Sequence, residues 1–228
     1  MPEQSETGEG RTLSGAAVPA VRRKIIRWGK EHYRAYPWRE PARPWHGLVA
    51  EILLQRTKAD TVVPVYRAFL RRFRTTSALA NASLAEIQAI IYPLGLRWRA
   101  PLLKELGREL AARKDLPPAN LESLKSLPGV GPYAAAAWLG FHGGQRAVIV
   151  DANVVRLLCR LVGTAMDGET RRKKWLIELA DRLTPQSDWK EYNYAVLDFT
   201  MQVCTRKPAC RTCPLKEHCR YGMENADA

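Results

Sequence analysis

Apolar residues recur at three- and four-residue spacing almost from one end of this sequence to the other, which leaves little room for anything but helices. The pattern predicts nine helical segments, at about 20–33, 47–57, 61–73, 83–96, 99–114, 120–127, 132–141, 152–162 and 172–183. Breakers fall between them: Pro37, Pro41 and Pro44, Pro93 with Gly95, Pro117 and Pro118, Gly129 with Gly131, Gly143 with Gly144, and Pro185. Pro64 sits about one turn into its segment, where its missing N–H costs little. Only "RAVIV", 146–150, reads as extended, and it is too short and isolated to build a sheet. The expected class is all-α, with 228 residues giving ample length for a core.

Lys and Arg total 36 against 23 Asp and Glu, a formal net charge of +13. That balance suits a polyanionic partner, because basic side chains replace the counterions condensed on phosphates. The longest apolar run, "YAAAAWLGF", falls far short of the ~18 residues that would suggest a membrane span. The first 17 residues are polar, lack an apolar signal core and read as a disordered tail. An intracellular location without membrane contact is expected.

Three local features point to chemistry. The stretch "LPGVGPY", 127–133, puts two glycines between helical segments, where they supply positive φ and let a foreign group approach the backbone. Asp151 follows the extended stretch and opens a helix; such a residue ordinarily caps the helix, yet its carboxylate could also face a developing cation in a cleft. Cys204, Cys210, Cys213 and Cys219 stand within sixteen residues at spacings x5, x2 and x5. Four soft thiolates so close together read as a metal site, open to zinc or to an iron–sulfur cluster. Cys159, in "RLLCRLV", lies on an apolar helical face and reads as core.

The glycine turn, an aspartate twenty residues after it and a terminal four-cysteine loop occur here in the order seen in one family. From about Tyr36 to Cys219 the chain resembles the helix–hairpin–helix DNA glycosylases that carry a [4Fe–4S] cluster. One departure is visible: the first cysteine gap is five residues, where the family usually has six. The resemblance implies a six-helix barrel over 38–146 with the helix–hairpin–helix at 119–141. A second helical domain would comprise 18–37 and 147–228, with the cluster held by Cys204, Cys210, Cys213 and Cys219 in the 204–219 loop. The active site would lie in the cleft between the domains, Tyr133 on one wall and Asp151 on the other. Gly129 and Gly131 would offer backbone N–H groups to a DNA phosphate, anchoring the strand without reading its sequence.

Relatives such as endonuclease III place a lysine where Tyr133 stands, and its amine attacks the sugar. Tyrosine cannot form a Schiff base, so the implied chemistry is monofunctional hydrolysis, with Asp151 stabilising the oxocarbenium-like sugar. "YPWRE", 36–40, and "EILLQRT", 51–57, resemble adenine glycosylases of the MutY type and thymine/uracil mismatch glycosylases. Glu51 matches the residue that protonates the leaving purine in the adenine enzymes. Gln55 and Arg56 match residues that fill the gap left by a flipped base, and Arg56 can bond the orphaned guanine. Tyr133 and Leu96 favour the mismatch enzymes, since adenine enzymes carry serine and an aromatic at those places. The chain also ends nine residues after Cys219, so the adenine enzymes' oxidised-guanine recognition domain is expected to be absent. The resulting expectation is a monomeric enzyme of base excision repair that removes thymine or uracil mispaired with guanine in double-stranded DNA. A downstream abasic-site endonuclease would be its partner, and the nucleoid its location. Adenine removal opposite guanine or 8-oxoguanine is the alternative, and endonuclease III-like lyase chemistry a lesser one.

Overall fold

The computed structural model describes residues 12–225. Among them are twelve α-helices and no paired strands. In chain order the helices are α1 (Ala17–Glu31), α2 (Pro44–Leu54), α3 (Ala59–Arg72), α4 (Thr76–Asn81), α5 (Leu84–Ile91) and α6 (Arg99–Ala112). They continue as α7 (Leu121–Lys125), α8 (Pro132–Phe141), α9 (Ala152–Val162), α10 (Lys174–Leu183), α11 (Trp189–Gln202) and α12 (Arg220–Glu224). Two compact units divide the chain: Ala35–Gln145 forms one, and the residues up to Arg34 join those from Arg146 onward in the other.

The unit Ala35–Gln145 is assembled around α2. Every residue from Trp45 to Leu53 is buried, as expected of a helix whose sequence offers no polar face. Phe69 and Phe73 of the α3 region, Leu79 of α4, Ile87 of α5 and Leu103, Leu106 and Leu110 of α6 belong to the same core. All six helices expected here form; α4 is additional, six residues capped by the Thr75 hydroxyl, which accepts from the Ala78 N–H at 3.1 Å. Ser83 and Glu86 build a reciprocal capping box at the start of α5. That helix stops at Ile91, short of the expected 96, because Pro93 turns the chain into a single 3-10 turn over Tyr92–Leu94 closed by a left-handed Gly95. Pro64 lies deeper than expected, as the sixth residue of α3, so the Asp60 carbonyl loses one helical hydrogen bond.

His46 is nearly buried on α2, its Nε2 without a hydrogen-bond partner and its ring 4.4 Å from that of Trp45. Burial, and after it the Arg43 charge, lower its pKa from 6.5 to about 4, against a smaller opposing effect of Asp115. Between those values the unfolded chain takes up a proton that the folded chain does not. Stability is therefore full above pH 6.5 and declines as pH falls towards 4, by on the order of 3 kcal/mol. Urea unfolding at pH 7.5 and pH 5 should show this loss in the wild type and a smaller one in His46→Gln. Equal losses in both would assign the acid sensitivity to other groups.

In the other unit, α1 buries Val18, Val21, Ile25 and Gly29 along one stripe. A Cβ at Gly29 would sit 2.3 Å from that of Ala195 on α11, so only glycine lets the two helices approach this closely. α9 contributes Val154, Val155, Leu157, Leu158, Leu161 and Val162 to the core, with Cys159 buried among them as expected. Arg22 and Arg146 satisfy the carbonyls at the end of α10: Arg22 bonds those of Arg182 and Leu183, and Arg146 those of Asp181 and Thr184.

Some expectations change here. Residues 1–11 of the expected tail lie outside the described residues, but the tail does not extend to 17. Leu13 is buried, its carbonyl accepts from Arg182 Nη2 at 3.0 Å, and α1 begins at Ala17. The stretch 146–150 forms no helix and pairs with no strand; its Ala147 carbonyl bonds the buried Asn193 amide instead. α11 went unread because it buries Asn193, Asp198 and Thr200 beside its apolar residues, which erases the amphipathic signal, and α12 because five residues are too few to show a period.

Candidate active site

The glycine turn joins α7 to α8. Asn120 caps α7 by accepting from the Ser123 N–H at 2.9 Å, and the Val130 N–H donates to the Leu127 carbonyl at 3.1 Å to tighten the turn. The two glycines have different reasons. Gly129 takes φ +77, and a Cβ there would press on the Ile52 side chain at 3.0 Å. Gly131 is ordinary extended backbone at φ −80 and ψ 177, so only one of the pair supplies positive φ. A Cβ on Gly131 would meet nothing within 4 Å. Neither strain nor packing within the protein demands glycine there, whereas close approach of a ligand would. Pro132 opens α8 with no side-chain cap, a helix N-terminus facing a glycine surface and suited to an anion. Tyr133 is the next residue, half-buried.

Glu51 lies nearly buried on α2, one turn before Gln55. The Gln55 side chain donates to the Gly129 carbonyl at 3.0 Å, so this unit brings the end of α2 and the hairpin together. Arg56 is exposed and holds φ +55, a left-handed conformation costing a non-glycine residue roughly 1 kcal/mol. Below it, Arg99 is completely buried at the start of α6. Its guanidinium donates to the Leu53 carbonyl at 2.8 Å, to the Thr57 hydroxyl at 2.7 Å and to the Gln55 carbonyl. Burial lowers the Arg99 pKa from its usual value. Leu96 is half-buried in the turn before α6, flanked by exposed Tyr92 and Trp98.

Asp151 belongs to the other unit, where it caps α9. Its Oδ1 accepts from the N–H groups of Asn153 at 2.9 Å and Val154 at 2.7 Å, and its Oδ2 from the Asn153 side-chain amide at 2.8 Å. Asn153 in turn accepts from Arg156 Nη1 at 2.9 Å, and Arg156 Nε donates to the Cys204 carbonyl at 3.0 Å. Asn153, Arg156 and Arg99 escape a reading of the sequence because each looks like an ordinary polar residue near a helix start. The only hint is that Asn153 stands two residues from a capping aspartate, within reach of its carboxylate.

All four loop cysteines are free thiols and line one small cavity, shared with Leu157, Phe199, Val203, Leu215 and Tyr221. Arg160 reaches in, its Nη1 3.4 Å from Cys204 Sγ, while the Gly222 N–H lies 3.3 Å from Cys219 Sγ. Burial pushes the Cys210 and Cys213 thiols up and that of Cys219 to about 11. No group of three or more His, Cys, Asp or Glu side chains among the described residues converges to hold a single metal ion. Four soft thiols lining one cavity are a donor set that fits an iron–sulfur cluster, and equally a zinc ion. Arg206, Lys207 and Arg211 of the same loop are exposed. No described helix is long and apolar enough to cross a membrane.

An all-helical frame carrying an uncapped glycine hairpin suits a protein that holds a phosphate backbone. Residues 49–181 match the HhH-GPD superfamily base excision DNA repair proteins, and the chain belongs to that superfamily. It is a DNA glycosylase, a hydrolase of N-glycosyl bonds. It is 42% identical to a thymine/uracil-DNA glycosylase of Pyrobaculum aerophilum, over 88% of this chain and 90% of that protein. It is 35% identical to an adenine DNA glycosylase of Mycobacterium tuberculosis, over 94% of this chain but 69% of the relative. Among solved structures, a thermostable thymine-DNA glycosylase superposes with a TM-score of 0.84 at 32% identity, covering 92% of this chain and 98% of that one.

Proposed function

We propose that the enzyme hydrolyses the N-glycosidic bond of thymine or uracil mispaired with guanine in duplex DNA and leaves the strand intact at an abasic site. The Asp151 geometry carries this reading: a carboxylate oriented by three N–H donors is a fixed negative charge for a cationic sugar. The likeness to thymine/uracil glycosylases over nearly the whole chain supports the choice of base.

The hairpin backbone around Gly129 and Gly131 would hold a phosphate at the start of α8, so that the weakly stacked mispaired nucleotide flips out. Gln55, Arg56 and Leu96 would fill the vacated space, with Arg56 bonding the orphaned guanine. Glu51 would accept the hydrogen bond from N3–H of the flipped pyrimidine. As the bond from C1′ to N1 breaks, its electron pair leaves with the base and Asp151 stabilises the sugar cation. Water then bonds C1′, and its proton ends on the departing base. Tyr133 would wall the site without attacking the sugar, because a phenol forms no Schiff base.

Cys204, Cys210, Cys213 and Cys219 would hold a [4Fe–4S] cluster. That cluster would supply structural cross-linking of the loop bearing Arg206, Lys207 and Arg211. The enzyme would act inside the cell as a monomer and pass its product to an abasic-site endonuclease.

The decisive experiment incubates the protein with duplexes containing G·T, G·U, A·G and A·8-oxoguanine, followed by hot alkali. Release of uracil and thymine opposite guanine is expected, with uracil faster because it lacks the 5-methyl group. Little strand cleavage should occur before alkali, and borohydride should trap little adduct. Faster adenine release would replace this reading with the adenine-glycosylase one.

A further inference from the structure

We propose that Arg99 is a positioning residue for opposite-base recognition, holding Gln55 and Arg56 in the shape that enters the duplex. This rests on the proposed roles of Gln55, Arg56 and Leu96.

The argument begins with the cost of the residue. Arg99 is 0% exposed, its Nε has no hydrogen-bond partner, and no carboxylate pairs with it among the described residues. A buried cation so placed is a poor way to stabilise a core, where an apolar side chain of similar volume packs at lower cost. Its charge instead faces the carbonyl end of α2, at Leu53 and Gln55, where the helix dipole favours a cation.

Geometry then shows what the guanidinium organises. It grips the Gln55 carbonyl and the Thr57 hydroxyl, the residues on either side of Arg56. Thr57 closes the ring by donating its hydroxyl to the Gln55 carbonyl at 3.2 Å. The only residue inside this clamp is the one with φ +55. Released from it, Arg56 would relax towards ordinary backbone and re-aim its side chain. Arg99 also sits three residues after Leu96, its own N–H donating to the Leu96 carbonyl at 3.1 Å. One residue, through its guanidinium and its backbone N–H, thus ties together the two loops proposed to insert into DNA. Both lie in the same compact unit, so no domain movement is needed for the coupling.

The test uses the full-length protein as wild type, Arg99→Lys, Arg99→Met and Thr57→Ala. Three readouts apply: single-turnover uracil release from G·U and A·U duplexes, fluorescence of 2-aminopurine beside the orphaned base, and affinity for undamaged duplex. Misplacing an inserted group should cost roughly tenfold to a hundredfold in the G·U rate. The G·U preference over A·U and the 2-aminopurine signal should fall with it. Affinity for undamaged duplex should stay within about threefold, because phosphate contacts dominate it. The order of loss should be Met, then Lys, which keeps the charge but not the fork, then Thr57→Ala. If the Arg99 variants fail to fold, Thr57→Ala decides alone: loss of preference and signal supports the clamp, and wild-type values overturn it. Folded Arg99 variants with wild-type preference and signal overturn it as well, leaving the glycosylase reading intact. Absence of any base release by the wild type overturns both.

Discussion

Asp151→Asn is expected to bind mispaired duplex as the wild type does and to release the base slower by on the order of a thousandfold. The substitution removes the charge and leaves the backbone cap in place, at the cost of the one acceptor that Oδ2 offers the Asn153 side-chain amide. Asparagine is as good a helix cap as aspartate, so its side-chain oxygen can keep accepting from the Asn153 and Val154 N–H groups. α9 should hold, and thermal stability should change little. What is lost is the negative charge facing the sugar cation. Single-turnover kinetics beside a binding isotherm make the comparison. Wild-type turnover in a folded Asp151→Asn protein would reduce Asp151 to a cap and move catalysis elsewhere.

Protein purified without oxygen should be yellow-brown and hold about four irons per chain, as a [4Fe–4S] cluster requires. Cys204→Ser should lose most of that iron. Cys204 is buried in the core of its unit, beside Arg160 Nη1, and its carbonyl anchors Arg156. Losing the cross-link should cost roughly 5 kcal/mol, which lowers the thermal midpoint by about 10–20 °C for a chain of this size. Base release should suffer less than in Asp151→Asn, since the loop lies outside the reacting atoms. Stoichiometric zinc and a colourless wild-type protein would sink the cluster assignment, and an unchanged midpoint in the serine variant would sink its structural role.

Periodicity alone was enough for the helical class and for nine of the twelve helices, because an amphipathic stripe is a local property. It failed at α11, where Asn193, Asp198 and Thr200 are buried, and at α4 and α12, whose six and five residues are too short for a period. Local chemistry likewise announced the glycine turn, the capping aspartate and the cysteine loop. Each needs only neighbours a few residues away, so residue type and spacing carry the message.

Other features depend on partners distant in sequence. That Gly129 supplies the left-handed backbone while Gly131 only leaves space follows from the path of the turn over Ile52. Arg99 reads as one more surface cation until the end of α2, more than forty residues earlier, is brought over it. Asn153 and Arg156 acquire their places only when Cys204 arrives beside α9. A sequence by itself determines which segments coil and which carry reactive groups, since backbone propensity and side-chain chemistry are local. Which polar groups become buried, and which carbonyls they must then satisfy, is decided only by tertiary packing, because desolvation is what turns an ordinary arginine into an obligatory clamp.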